Sequence, residues 1–191
     1  MELFFNKIKA AIMEEKSHIK YFSIKLGVFA ILAVLVFVFR EPLVENLKYF
    51  IGGLMLLYGL EEILFEVLYS RHHILHQGKI YLGFIELLLG AVVLSVPMSY
   101  ESVCIIWATW SILREAHEIK EVFCELKCWI PRILSSVESA VIIVFSILLI
   151  IEPGEHHAMI HLYLLLAELI ISPLTPLLDE ILAKRKEKKE E

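Results

Sequence analysis

Six stretches of nearly unbroken apolar residues decide most of what this chain can fold into; they lie at about 20–39, 43–68, 80–96, 102–123, 131–151 and 157–182. A bilayer core about 30 Å thick is crossed by about 20 apolar residues in helical form. Helices also satisfy their own backbone polar groups where no water can. Composition agrees: 58% of the residues are hydrophobic, against about 45–50% in soluble domains. Mean hydropathy is +0.71. Within 191 residues, six such blocks leave only short loops and no room for a separate soluble domain. The sequence therefore predicts an all-α membrane protein of six transmembrane helices, with residues 19–182 forming the membrane domain.

The two ends differ from this core. Residues 1–18 lack a cleavable signal's order of charge, apolar core and small-residue site. Instead Leu3, Phe4, Ile8, Ala11 and Ile12 share one helical face, with Lys7 and Lys9 placed to meet headgroups, which predicts an amphipathic interfacial helix. Residues 183–191 read as a solvated charged tail. Orientation follows from the lysines and arginines. Fifteen of the eighteen lie in the N-terminal segment, in the tail, or in the connections after the second and fourth blocks. The other connections carry only Arg40 and Lys48, and Arg114 sits inside a block. An even number of spans with this bias places both termini in the cytoplasm of a multi-pass plasma (inner) membrane protein.

An internal repeat supports the count. Pro42, Pro97 and Pro153 are spaced by 55 and 56, each at an outer turn; Gly27, Gly83 and Ser139 are spaced by 56 and 56, and Glu62 and Glu118 again by 56. The pattern predicts three helical hairpins, related about the membrane normal rather than inverted. Three hairpins, a proline at each outer turn, short basic inner loops and the run Gly-Gly-Leu-Met-Leu-Leu-Tyr-Gly-Leu-Glu-Glu-Ile at 52–63 resemble the HdeD-like family of small bacterial membrane proteins. The resemblance covers residues 20–182 and implies a role in bacterial acid resistance; the chain is expected to be a non-enzymatic, stress-related membrane protein. This chain departs from the family's usual run in carrying far more acid inside its helices.

Those acids are the candidate site. Glu61, Glu62, Glu86, Glu115, Glu118, Glu138 and Glu168 fall in the half of each block nearer the basic connections, together with Lys25 and Arg114. An ionised group at the bilayer centre costs about 2.5–3.5 kcal/mol on insertion scales. Glu86, Glu138 and Glu168 are thus expected to face the bundle interior, forming an acidic cavity in the cytoplasmic half. Three readings stay open. One is a hydrated vestibule with some carboxylates protonated and others paired to Lys25 and Arg114. A second is a transporter or channel handling protons or cations, with a divalent cation as the candidate cofactor and Glu115, Glu118 and His117 as candidate ligands. A third is an intramembrane enzyme, although no HExxH or GxSxG signature appears. Glu115 and Glu118 share a helical face, whereas His117 points about 200° away from Glu115.

The remaining motifs are weaker. His72, His73 and His76 fall in an inner loop; His157 and His161, four apart near the outer end, suit acid sensing. Cys124 and Cys128 are four apart on a predicted helical segment, a spacing that suits a thiol metal pair or two small buried hydrophobes. Gly52, Gly53, Gly59, Gly83 and Gly90 predict close helix contacts. Pro173 and Pro176 are expected to kink or break the last helix. No nucleic-acid, phosphate-loop or haem signature is present. The expected partners are the lipid bilayer and a second copy or another membrane protein.

Overall fold

The computed structural model describes residues 26–69 and 77–190. Lys25, the amphipathic segment 1–18 and the loop histidines 72, 73 and 76 lie outside the described residues. Among the described residues the fold is all-helical, with no strand: α1 (Leu26–Val38), α2 (Arg40–Glu45), α3 (Leu47–Tyr69), α4 (Gln77–Ser95), α5 (Tyr100–Glu125), α6 (Trp129–Ile151) and α7 (Glu155–Glu190). Each of the six apolar blocks is thus mainly helical where it is described, the second being interrupted at Asn46.

Local chemistry sets the joints. At Asn46, both the backbone N–H and the side-chain amide donate to the Pro42 carbonyl, each at 3.0 Å, closing α2 before α3 begins. Ser99 caps α5: its hydroxyl accepts from the Ser102 N–H at 3.2 Å, a short polar side chain satisfying a first-turn donor. Glu101 in that first turn complements the positive end of the helix. The cap of α6 comes from another helix. The Asp179 carboxylate of α7 accepts from the Lys127 N–H at 3.0 Å and the Cys128 N–H at 2.6 Å. Arg132 closes the other side of that joint, donating to the Leu126 carbonyl at 2.5 Å.

Several expectations are corrected. α7 runs unbroken through Pro173 and Pro176. Between the two prolines, the Thr175 hydroxyl donates to the Ile171 carbonyl at 2.9 Å, a back-bond of the kind that helps a helix absorb missing N–H donors. Cys124 and Cys128 do not share a helix, because α5 ends at Glu125 and the Asp179 cap starts α6 at Trp129.

The chain divides into two compact units, and the division cuts α5 after Trp110, α6 after Ser146 and α7 after Met159. In the unit built on Arg40–Trp110 and Ile147–Met159, α3 and α4 form a hairpin held by glycines. A Cβ on Gly59 would stand 2.5 Å from the Gly83 carbonyl oxygen, and one on Gly90 would stand 2.8 Å from the Gly52 carbonyl oxygen. The two backbones therefore meet at two levels, seven residues apart on each helix. Gly53 is the exception: nothing lies within 4 Å of where its Cβ would stand, so it makes no close helix contact. Buried Leu47, Ile51, Leu54, Met55 and Tyr58 on α3 recur at helical spacing, and Val93, Val103, Trp107 and Leu149 complete the apolar interior of this unit.

In the other unit, Ser111–Ser146 and Ile160 onward assemble with α1, which buries Ala33 and Val36. Apolar Ile142, Leu162, Leu165 and Leu169 are buried there beside Glu115, Ser135, Ser139, Ser146, His161, Glu168, Thr175 and Asp179. Its outward positions are apolar: Leu113, Ile133, Val137, Val144 and Ile170 are all between 45% and 57% exposed.

Among the described residues, two helical stretches are long and apolar enough to cross a membrane, Trp129–Ile151 and Glu155–Ala183. Of the most apolar part of each, 28% of the first and 50% of the second is buried within the protein. α3 and α5 have the length, 23 and 26 residues. Their second halves carry Glu61 and Glu62, and Arg114, Glu115 and Glu118, respectively.

Candidate functional site

Three helices bring polar side chains into the unit that begins at Ser111. On α5, Ser111, Arg114, Glu115 and Glu118 fall at offsets of 0, 3, 4 and 7, a single helical face. On α6, Ser135, Glu138 and Ser139 repeat the 0, 3, 4 spacing. On α7, His161 and Glu168 are two turns apart. Helical periodicity alone thus aligns each stripe, and packing joins them.

The joins are specific. Arg114 Nη2 stands 3.2 Å from Glu168 Oε1, with the two side chains only 11% and 9% exposed. Glu115, 2% exposed, accepts from the Ser139 hydroxyl, and both Glu168 and Glu118 lie within its electrostatic reach. Glu138 feels the carboxylates of Glu118, Glu168 and Glu115 and the Arg114 guanidinium. Its Oε1 is shielded from solvent and has no hydrogen-bond partner. Ser111 Oγ and His161 Nε2 form a buried hydrogen bond of 3.0 Å on the same stripes. His117 is half-buried in the same unit.

Four carboxylates therefore gather around one guanidinium where water is scarce. Burying a lone charge is costly, and a buried pair holds only when its lone pairs and protons are satisfied. Arg114 balances one of the four. Buried carboxylates in excess of their cation are stable only with further positive charge, from protons or from another group. Among the described residues, no group of three or more His, Cys, Asp or Glu side chains is arranged to hold a metal ion, and Glu115, Glu118 and His117 form no such set.

The other expected acids belong to the Arg40–Trp110 unit. Glu86 on α4 is fully buried and accepts from Trp110 Nε1 at 2.9 Å, while the Tyr58 ring packs edge-on against Trp110 with centroids 5.7 Å apart. Glu61 and Glu62 on α3 are half-buried, with the Glu62 side chain against Gly83.

Sequence reasoning missed the partners more than the acids. His161 is 3% exposed and bonded to Ser111, so it is not a solvent-facing sensor as its spacing from His157 suggested. Ser139, Trp110 and Asp179 also went unremarked as partners. The Ser135, Glu138, Ser139 spacing was the available signal for the first. Asp179 carried none, since its role depends on the α5–α6 joint meeting α7. Comparison with protein-family models, with curated proteins and with solved structures gives no match.

Proposed function

We propose that the chain is a six-span plasma-membrane protein of the HdeD-like kind, non-enzymatic, whose buried acid cluster serves tolerance of acid or a related stress. The observation that carries this reading is an inverted distribution. In the unit beginning at Ser111, carboxylates, serines and a histidine are inside while Ile133, Val137, Val144 and their neighbours face outward. Water-soluble proteins place Glu and Arg at the surface; lipid reverses the preference for outward positions and drives polar groups to the interior. The bias of lysine and arginine places the cluster in the cytoplasmic half of the bundle. The excess of carboxylates over Arg114 fits a protein whose state follows the supply of protons.

That same excess favours a second reading, in which the cluster moves protons or cations rather than only holding them. The experiment is reconstitution of the purified chain into liposomes carrying a pH-sensitive dye, alongside survival of an acid challenge by cells with and without the chain. The stress reading expects deletion to lower survival, with Glu115→Gln and Glu138→Gln reproducing part of the loss and no flux in liposomes. Flux that these two variants abolish establishes the transport reading instead. Unchanged survival on deletion overturns the stress role. A chain that stays in solution after removal of all detergent overturns the membrane assignment itself.

A further inference from the structure

We infer that the part of α7 beyond Pro176 is a hinged strap, latched by Asp179 over the joint between α5 and α6. The hinge lies at the two prolines. Pro173 and Pro176 lack the N–H groups that would donate to the carbonyls of Leu169 and Ser172, so α7 loses two backbone bonds within one turn of each other. The Thr175 hydroxyl adds a contact to the Ile171 carbonyl at 2.9 Å, but neither of those two carbonyls regains its helical donor. Packing changes at the same place. Before the prolines, α7 buries Leu162, Leu165 and Leu169. After Pro176, among the described residues, Asp179 is its one buried side chain. A segment with few buried apolar contacts opens at low cost, and a helix bends where prolines have removed its bonds.

The latch is Asp179. Its side chain is 7% exposed, and its carboxylate accepts from the Lys127 and Cys128 N–H groups at 3.0 and 2.6 Å. Its backbone covers the joint as well, because the Cys128 thiol donates to the Asp179 carbonyl oxygen at 3.8 Å. That second contact separates two events. Losing the carboxylate uncaps α6, whereas only movement of the α7 backbone uncovers the Cys128 sulfur. The joint is also the end of this unit nearest the acids: Glu118 lies seven residues before the end of α5, and Glu138 ten after Cys128. Opening the strap therefore clears the way toward Ser135 and Glu138. This gating role rests on the acid-cluster reading above; the hinge and the latch do not.

The test is alkylation of the full chain in detergent by N-ethylmaleimide, with each cysteine followed separately by peptide mass spectrometry. Cys124, exposed on the last turn of α5, is the internal reference. Asp179→Ala should speed Cys128 about fivefold relative to Cys124, the fold-change to which loss of a helix cap corresponds. Asp179→Asn removes the same charge but keeps an acceptor, and should speed it less. Pro173→Ala with Pro176→Ala restores both backbone donors. That pair should slow Cys128 in the wild-type background and return the Asp179→Ala rate toward wild type. Equal acceleration by the Ala and Asn variants assigns the effect to the charge beside the thiol and overturns the latch. Proline replacements that leave the Cys128 rate unchanged in both backgrounds overturn the hinge. For the gate, Ser135→Cys places a thiol where the native side chain is 1% exposed, three residues before Glu138. Its alkylation should rise with Asp179→Ala and fall again with the proline replacements; a thiol there that stays unreactive while Cys128 quickens overturns the gating role. None of these rates depends on acid survival or on flux, so failure here and failure of the proposed function are told apart.

Discussion

The two units of this protein solve the problem of an interior in opposite ways. In the Arg40–Trp110 unit, backbones meet at Gly52 with Gly90 and at Gly59 with Gly83, and the space around them is filled by Leu47, Ile51, Met55, Trp107 and other apolar groups. Among the described residues Glu86 is its one fully buried acid, and Trp110 donates to it. In the unit beginning at Ser111, the interior holds an ion pair, a serine–histidine bond, a serine–carboxylate bond and a helix cap contributed by Asp179. Packing contacts are short-ranged and indifferent to pH. Buried polar networks depend on every member being present and on the protonation state of each. On the proposed reading, one unit stays fixed and the other responds.

The strongest break to that contrast is Arg114→Met. Removing one partner of a buried ion pair leaves its mate charged and uncompensated, at a cost of about 3–5 kcal/mol. Arg114 faces Glu168 and lies among three further carboxylates, so the expected loss is at the upper end of that range. Thermal unfolding in detergent should show a large fall in midpoint, and adding Glu168→Met should recover most of it. A fall equivalent to less than about 1 kcal/mol would mean that the pair is solvated as at a surface, and the responsive interior would be lost from the comparison.

The matching break in the other unit is Gly59→Leu. Its Cβ would meet the Gly83 carbonyl oxygen at 2.5 Å and the Leu87 N at 2.9 Å, both backbone atoms that cannot rotate aside. Overpacking of a tight interior costs about 1–3 kcal/mol and occasionally more. Gly53→Leu is its control, one residue from Gly52 on the same helix, with open space where its Cβ would stand. It should shift stability by less than about 0.5 kcal/mol. Equal effects of the two substitutions on the unfolding midpoint would remove the glycine seam from the account.

How much of this was readable beforehand divides along the same line. Helix positions were legible, because long apolar blocks leave the backbone no alternative; α4 and α6 fall within three residues of their expected limits. The glycine seam was mostly legible too, since Gly83 and Gly90 lie two turns apart. Gly53 misled because a glycine signals permission for close approach and says nothing about which side the partner takes. The identity of the acids was plain from their expense. Their sorting was not. Glu86 and Glu138 sit at equivalent depths by residue count, yet Glu86 bonds Trp110 in one unit and Glu138 joins the Arg114 cluster in the other. Depth is a one-dimensional quantity; partnership depends on helix rotation. The prolines of α7 show a third limit, because a missing N–H removes one bond from a helix whose remaining contacts decide whether it continues.

A smaller effect is expected from Trp110→Phe. It keeps an aromatic ring against Tyr58 but removes the Nε1 donor that meets Glu86 Oε1 at 2.9 Å. Losing a hydrogen bond to a buried acid should cost about 1–3 kcal/mol. Glu86→Gln in the same background should restore stability, since an amide places less demand on a donor than a carboxylate does. If Trp110→Phe proves neutral, Glu86 draws on other groups for its support and the apolar unit is more polar at its centre than the comparison allows.

The smallest expected effect locates the boundary between the two behaviours. Asp179→Ala frees the Lys127 and Cys128 N–H groups at the start of α6, and loss of a helix cap typically costs about 1 kcal/mol. Asp179→Asn keeps an acceptor and should recover part of that cost. What matters is where the loss is felt. Hydrogen exchange should quicken at Lys127, Cys128 and the first turn of α6 while amides of α3 and α4 in the glycine hairpin keep their protection, because the cap and the cluster belong to one unit and the hairpin to the other. Protection lost equally along α3 would make the chain a single cooperative body. The distribution of buried polar groups would then describe one interior with a polar end rather than two interiors with different tasks.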